Sequence, residues 1–264
     1  MLLAIDIGNS NITLGGIQEG EILFEARLAT DSTKTSDEYG VEIKDMLDLF
    51  GARVEEIRDC IVASVVPPVF NSVRNGIVKL TGKEPMVVGP GIKTGINILL
   101  EDPGATGADL IAAAVAAVDT YPTPLTVVDM GTATTIAVID DGNAFLGGAV
   151  LPGLRISAEA LSSRASLLPG IQLERPRRAI GKNTAECMQS GLMFGAAAMV
   201  DGLIDRMEAE LGRPTTVVAA GGVARFVVPL CRHEIALERD LQLKGLDLLY
   251  RKNRPRKEAA PDPR

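Results

Sequence analysis

The sequence predicts an α/β chain built as two duplicated lobes, each a mixed sheet flanked by helices. Three observations carry that prediction. A strand–loop–strand–turn–strand unit followed by helices occurs twice along the chain. Each copy opens with an apolar strand that runs into an Asp-x-Gly turn, Asp6-Ile7-Gly8 in the first half and Asp129-Met130-Gly131 in the second. Of the 264 residues, 46% are hydrophobic but only 3% aromatic, with no Trp, so the interior must be built from Val, Ile, Leu and Ala.

The elements follow in order. Residues 2–6 are a buried strand ending at a polar turn. Residues 11–17 and 21–28 are two further strands, joined by the hairpin loop Gln18-Glu19-Gly20. Residues 36–50 place Val41, Ile43, Met46, Leu47 and Phe50 at helical spacing. Residues 60–66 form a strand stopped by Pro67-Pro68. A helix over 70–80, strands over 84–89 and 96–100, and an Ala-rich helix over 107–117 come next. Tyr121-Pro122-Thr123-Pro124 marks the boundary, giving an N-terminal lobe over 1–120 and a C-terminal lobe over 121–250. The opening pattern then returns as strands over 125–129, 134–139 and 144–150, with Asp140-Asp141-Gly142-Asn143 as the hairpin turn. Helices over 155–163 and 184–211 precede a strand over 215–219 that enters Gly221-Gly222. The charged, Pro-rich tail over 251–264 is expected to be disordered.

Bulk properties narrow the function. The net charge of −7 argues against a nucleic-acid or membrane-surface partner. It leaves room for a nucleotide held locally by backbone N–H groups and metal ions. Cys60, Cys187 and Cys231 are isolated and His233 is the single histidine, which argues against a zinc site, a disulfide scaffold or a His-dependent nucleophile. The first residues lack the pattern of a secretory signal, and the longest fully apolar run, 110–118, is too short to span a bilayer. A cytosolic location is expected. No G-x-x-x-x-G-K-[ST] is present. Gly89-Pro90-Gly91 follows a strand but leads into another strand, so it reads as a plain turn rather than a dinucleotide loop.

The chemistry lies in the paired turns. An Asp at a strand end is held rigidly at the mouth of a sheet, and the following Gly lets a ligand approach the backbone. Asn9, Ser10, Asn11 and Thr13 add polar groups. Such a hairpin wraps phosphate oxygens while the Asp holds a cation directly or through water. One such turn is equally an Asx-capped hairpin. Two in register, each after an apolar strand, favour a triphosphate gripped from both sides, as phosphoryl transfer requires. Gly221-Gly222 is a third close-approach loop, suited to an adenosine moiety. Asp109, at the start of the Ala-rich helix, is either a helix cap or a general base toward an acceptor hydroxyl. Glu174-Arg175-Pro176-Arg177-Arg178 reads as a solvated loop.

These residues resemble the type III pantothenate kinases over roughly 1–250. Asp6-Ile7-Gly8-Asn9-Ser10-Asn11 is similar to the family's first phosphate motif, and Asp129-Met130-Gly131-Thr132-Ala133-Thr134-Thr135 to its second. Gly147-Gly148 with Pro152-Gly153, then Thr184, Ser190-Gly191 and Gly221-Gly222, complete the order. The resemblance implies duplicated ribonuclease-H-like lobes of the actin-like ATPase kind. It implies ATP-dependent phosphorylation of pantothenate on its primary hydroxyl, the first step toward coenzyme A. It also implies a homodimer, Mg2+ with ATP, and K+ or NH4+ as a monovalent ion. By the same resemblance Asp6, Gly8, Asn9, Ser10, Asn11, Thr13, Gly131, Thr132, Gly221 and Gly222 bind ATP. Asp6 helps hold the divalent ion, Asp129 the monovalent one, and Asp109 is the base. Leu100, Gly107, Ala108, Asp109, Leu110 and Thr184 occupy the acceptor positions. The family's Gly-x-Asp-Arg stands here as Gly107-Ala108-Asp109-Leu110, its Asn as Ala113 and its Tyr as Leu100. An alkyl chain does not replace an Arg facing a carboxylate. A kinase for another hydroxylated metabolite and a nucleotide-binding regulator are therefore the alternatives.

Overall fold

The structure is a computed structural model that describes residues 1–254. Five strands form the first sheet: β1 (Leu2–Ile7), β2 (Asn11–Gln18), β3 (Glu21–Ala29), β4 (Asp59–Ser64) and β5 (Met86–Val87), in the order β3-β2-β1-β4-β5. The second sheet holds β6 (Asn97–Ile98), β7 (Leu125–Met130), β8 (Ala133–Ile139), β9 (Ala144–Pro152), β10 (Thr216–Ala220) and β11 (Ile235–Leu237), in the order β11-β10-β7-β8-β9-β6. Started from β9, its order β9-β8-β7-β10-β11 repeats the first sheet strand for strand. Pairing repeats too: β1 and β7 are each antiparallel to the following strand and parallel to the fourth of their set. The duplication read from two short turns is thus a duplication of topology.

The helices are α1 (Ser36–Leu49), α2 (Pro67–Thr81), α3 (Ala108–Thr120), α4 (Leu154–Arg164), α5 (Thr184–Leu211), α6 (Ala224–Val227) and α7 (Leu241–Asn253). A capping box between Thr35 and Glu38 starts α1. Strand β4 ends at Ser64, two residues short of the predicted end, and Pro67-Pro68 instead opens α2, three residues earlier than predicted, because Pro suits the first helical turn. Both short strands are narrower than expected: 84–89 pairs only at β5 and 96–100 only at β6. The pattern did not announce α6, β11 or α7. Because α7 runs to Asn253, the first residues of the segment read as a tail are helical. Residues 255–264 lie outside the described residues.

Central strands are covered on both faces, so β1 is apolar except at Asp6, and β7 except at Asp129 and Thr126, whose hydroxyl is paired with that of Thr215. Helix α3 is apolar nearly all round because it lies between the two sheets. Ile111 and Ala112 pack with Leu2, Ala4 and Ile61 of the first lobe and with Leu243, Leu246 and Leu249 of α7. Ala113, Ala114 and Ala117 pack with Leu125, Val127 and Val218 of the second. Helix α5 is long and apolar enough to cross a membrane by length and composition. In the fold, its Met193, Ala197, Val200 and Ile204 fill the second lobe's core.

Candidate active site

Each Asp-x-Gly turn is closed by its own backbone and then buttressed. In the first, the Gly8 N–H donates to the Asn11 carbonyl (3.0 Å), while the Thr30 hydroxyl donates to the Gly8 carbonyl (2.6 Å) and the Thr30 N–H to the Ser10 carbonyl (3.2 Å). In the second, the Gly131 N–H donates to the Ala133 carbonyl (2.9 Å) and the Gly153 N–H to the Thr132 carbonyl (3.2 Å). A side chain at Gly153 would collide with the Thr132 carbonyl, which is why Pro152-Gly153 can pack there. The hairpins then meet: the hydroxyls of Ser10 and Thr132, 122 residues apart, share a 2.7 Å hydrogen bond. Asn9, Ser10, Asn11 and Gly131 stay exposed along the seam.

Three carboxyls gather beneath that seam. Asp6 is pushed up to about 8 by burial, then by Asp109, then by Asp129. Burial and Asp109 push Asp129 up to about 6, against a hydrogen bond from Gln242 Nε2 to its Oδ2 (3.0 Å). Burial also raises Asp109, partly offset by the Leu110 N–H donating to its Oδ1 (2.8 Å). Asp109 acts on both other carboxyls and Asp129 acts on Asp6, so the three share one crevice. Asp6 Oδ1 is buried without a hydrogen-bond partner. That orphaned acceptor and the crowded charge fit a cation. Among the described residues no three His, Cys, Asp or Glu side chains close into a metal cage. Magnesium that arrives with a nucleotide takes one or two carboxylates and fills the rest of its shell with phosphates and water.

The third loop joins the same crevice. Gly221 has φ +97°, and a Cβ on it would stand 2.5 Å from the Met130 carbonyl oxygen and 2.7 Å from Asp129 Oδ1. Only glycine combines that backbone with that approach. Asp109 sits in the first turn of α3, so a place at a helix start and a place facing the other carboxyls are one position.

The acceptor-side residues divide. Gly107 and Ala108 border a cavity of about 710 Å³ whose other wall is Gly89-Pro90-Gly91, the segment read as a plain turn. It is a wall because the loop folds back over Ser64 and Val65 at the end of β4. Leu110 flanks Asp109 and is half-buried. Leu100 packs against the second lobe's core beside Phe145. Thr184 is exposed at the start of α5 and makes no hydrogen bond to the cleft groups among the described residues. The basic loop 174–178 is solvated, apart from buried Pro176. His233 binds Asp201 through Nδ1 (2.8 Å) and is part of a clamp on α5, remote from any nucleophile motif.

Gln242 was not visible in the sequence as a site residue. It reaches Asp129 only because α7 docks between the lobes, and no turn or spacing near residue 242 signals that.

Known proteins agree with this architecture. The family described as Type III pantothenate kinase matches residues 2–206. A structure described as a Baf family transcriptional activator from Campylobacter jejuni superposes with TM-score 0.61 at 18% identity, covering 95% of this chain and 98% of that one. Component A of (R)-2-hydroxyglutaryl-CoA dehydratase from Acidaminococcus fermentans gives 0.55 at 17% identity, with 93% and 94% covered. ROK hexokinase from Thermus thermophilus gives 0.51 at 14%, with 94% and 97% covered. At these identities the solved structures establish the fold, that of the actin-like ATPases and sugar kinases.

Proposed function

This chain belongs to the type III pantothenate kinase family, ATP-dependent enzymes that phosphorylate pantothenate, and from that membership we propose how its residues divide the work. Asp6, Gly8, Asn9, Ser10, Asn11 and Thr13 hold the triphosphate from the first lobe, with Gly131 and Thr132 opposite. Gly221-Gly222 takes the adenosine side. Asp6 holds the divalent ion that accompanies ATP, and Asp129 a monovalent ion such as K+ or NH4+. When bound, these ions supply positive charge that offsets the phosphates and the carboxyls.

Asp109 accepts the proton of the acceptor's primary hydroxyl. The hydroxyl oxygen bonds to the γ-phosphorus, the bond from that phosphorus to the β,γ-bridging oxygen breaks, and ADP leaves. A carboxylate raised by burial is a stronger base than an exposed one, which suits Asp109 to the task. The observation that carries this reading is the meeting of the duplicated hairpins at Ser10 and Thr132, with Asp6 and Asp129 at the roots of those same hairpins and both raised by burial and by the charge of Asp109.

The cavity beside Gly107 and Ala108 has the size of a small-molecule site and adjoins the proposed base. Thr184 supplies an acceptor contact from a second copy of the chain, and the working enzyme is a cytoplasmic homodimer. One observation favours a second reading, an uncharged hydroxylated acceptor: the cavity's described lining carries hydroxyls and aliphatic groups but no charged side chain.

Incubating the full chain with ATP, magnesium, potassium and pantothenate should yield phosphopantothenate by mass. Asp109→Asn should lower turnover by roughly 10²-fold or more while ATP still binds. No product from pantothenate, with product from its uncharged alcohol analogue, would establish the second reading instead.

A further inference from the structure

Strand register places one more charged group on the cleft face of the first sheet. Asp6 lies opposite Thr13 across β1 and β2, and Thr13 lies opposite Arg27 across β2 and β3. Directly opposed residues in antiparallel pairs project from the same face, so Asp6, Thr13 and Arg27 form one row. The matching row in the second lobe is Asp129, Thr135 and Val150. The duplication keeps the carboxylate and the hydroxyl and breaks at the third place, a guanidinium in one lobe and an exposed Val in the other.

The guanidinium reaches across the cleft. A Cβ on Gly222 would stand 3.6 Å from Arg27 Nη1. Its other two nitrogens are held by Glu25 Oε1, at 2.9 Å from Nε and 2.8 Å from Nη2. Burial, and then the neighbouring carboxyl of Asp240 just before α7, raise the Glu25 carboxyl. Nη1 has no acceptor among the described residues, and the side chain is 50% exposed. Arg27 is therefore braced from behind, with a donor edge turned toward the Gly221-Gly222 loop.

We propose that Arg27 is an anion-binding residue of the nucleotide site, holding the phosphate nearest the adenosine, where the triphosphate leaves the Gly221-Gly222 loop for the paired hairpins. The proposal rests on the ATP reading above. The crevice holds three carboxyls, and no basic side chain is among the groups that shift them. A triphosphate entering it adds more negative charge. Arg27 is the cation that the register aims at that charge, and a planar guanidinium fixed by one carboxylate presents its remaining donors in a set direction, as phosphate recognition favours. A purely structural brace from β3 to Asp240 would use the Glu25 side of the group and leave the opposite edge idle.

The test titrates the full chain and its Arg27→Gln, Arg27→Lys and Glu25→Gln variants with MgATP, MgADP and adenosine by calorimetry, alongside thermal melts. Arg27→Gln should weaken ATP roughly 10- to 100-fold while adenosine changes less than about 2-fold. Arg27→Lys should fall between, and KM for ATP should rise with the acceptor's KM unchanged. Glu25→Gln should cost ATP less than Arg27→Gln does. Equal losses for ATP and adenosine, or losses that track a drop in melting temperature across all three variants, would reduce Arg27 to a brace. Unchanged ATP affinity in Arg27→Gln, with wild type binding normally, would overturn the proposal alone. A wild-type chain that binds no ATP would overturn the nucleotide reading beneath it as well.

Discussion

Asp6 shows what the site costs the fold at the scale of one residue. Its carboxyl is pushed up to about 8, whereas an unfolded chain ionises Asp near 4, at about 3.9. Between those values the folded protein keeps a proton that the unfolded chain has released, so stability falls as pH rises through the window. Asp6→Asn removes the charge and keeps the shape. In the nucleotide-free chain its melting temperature should match wild type near pH 4 and exceed it by several degrees at pH 8, on the order of a few kcal/mol. Scanning calorimetry at several pH values reads this directly. A gain that does not grow with pH, or a loss at pH 8, would mean the three carboxyls do not crowd one another. Residues of this kind were legible in the sequence because their signal is local: an apolar strand, then Asp-x-Gly. Arg27 and Gln242 were not. One enters the cleft row through strand pairing and the other through a helix docked from the far end of the chain, and neither relation leaves a mark on neighbouring residues.

At the scale of elements, the strands and the longer helices followed their periodicity, and the misreadings cluster where tertiary contact overrides it. Helix α7 carries Leu241, Leu243, Leu246 and Leu249 into the core, yet Gly245 interrupts its pattern and Arg251 and Lys252 end it like a tail. Gly245 is there for contact rather than flexibility: a Cβ would collide with the Ala112 carbonyl of α3. The α3–α7 crossing is what sets Gln242 against Asp129 and Asp240 against Glu25. Gly245→Ala should therefore cost about 1–3 kcal/mol in urea unfolding, even though Ala is the better helix former by roughly 1 kcal/mol. It should also raise KM for ATP, since both contacts shift with the helix. A neutral or stabilising Gly245→Ala would show that the helices have room to part. Strands β5 and β6 are narrower than the runs that contain them for a related reason: an apolar run tells that a segment is buried, and pairing partners decide how much of it is strand.

At the scale of the whole molecule, both lobes leave apolar side chains exposed, among them Leu49 and Val41 on the first, and on the second they gather near a hollow. Val150 is 74% exposed and Met199 45%, and Ile156 and Leu161 are also exposed. Met199 lines a hollow of about 110 Å³ with Leu151, Leu154, Gly191 and Ala196, where α4, α5 and the end of β9 meet. Small residues on α5 let a second helix approach closely. Thr184 begins that same helix, exposed and with no hydrogen bond to the cleft groups among the described residues, and under the proposed dimer a second copy docked on this face would give it an acceptor to touch. Light scattering should then report twice the 27.8 kDa chain mass at micromolar concentration. Met199→Glu should return the single-chain mass, because a buried unpaired carboxylate is costly in an apolar interface. It should keep ATP affinity within about 2-fold and lose most acceptor turnover, a separation expected only if the nucleotide half of the site is complete within one chain and the acceptor half is shared. A wild-type chain that is monomeric and fully active would remove the partner from the mechanism and leave Thr184 without a role in it.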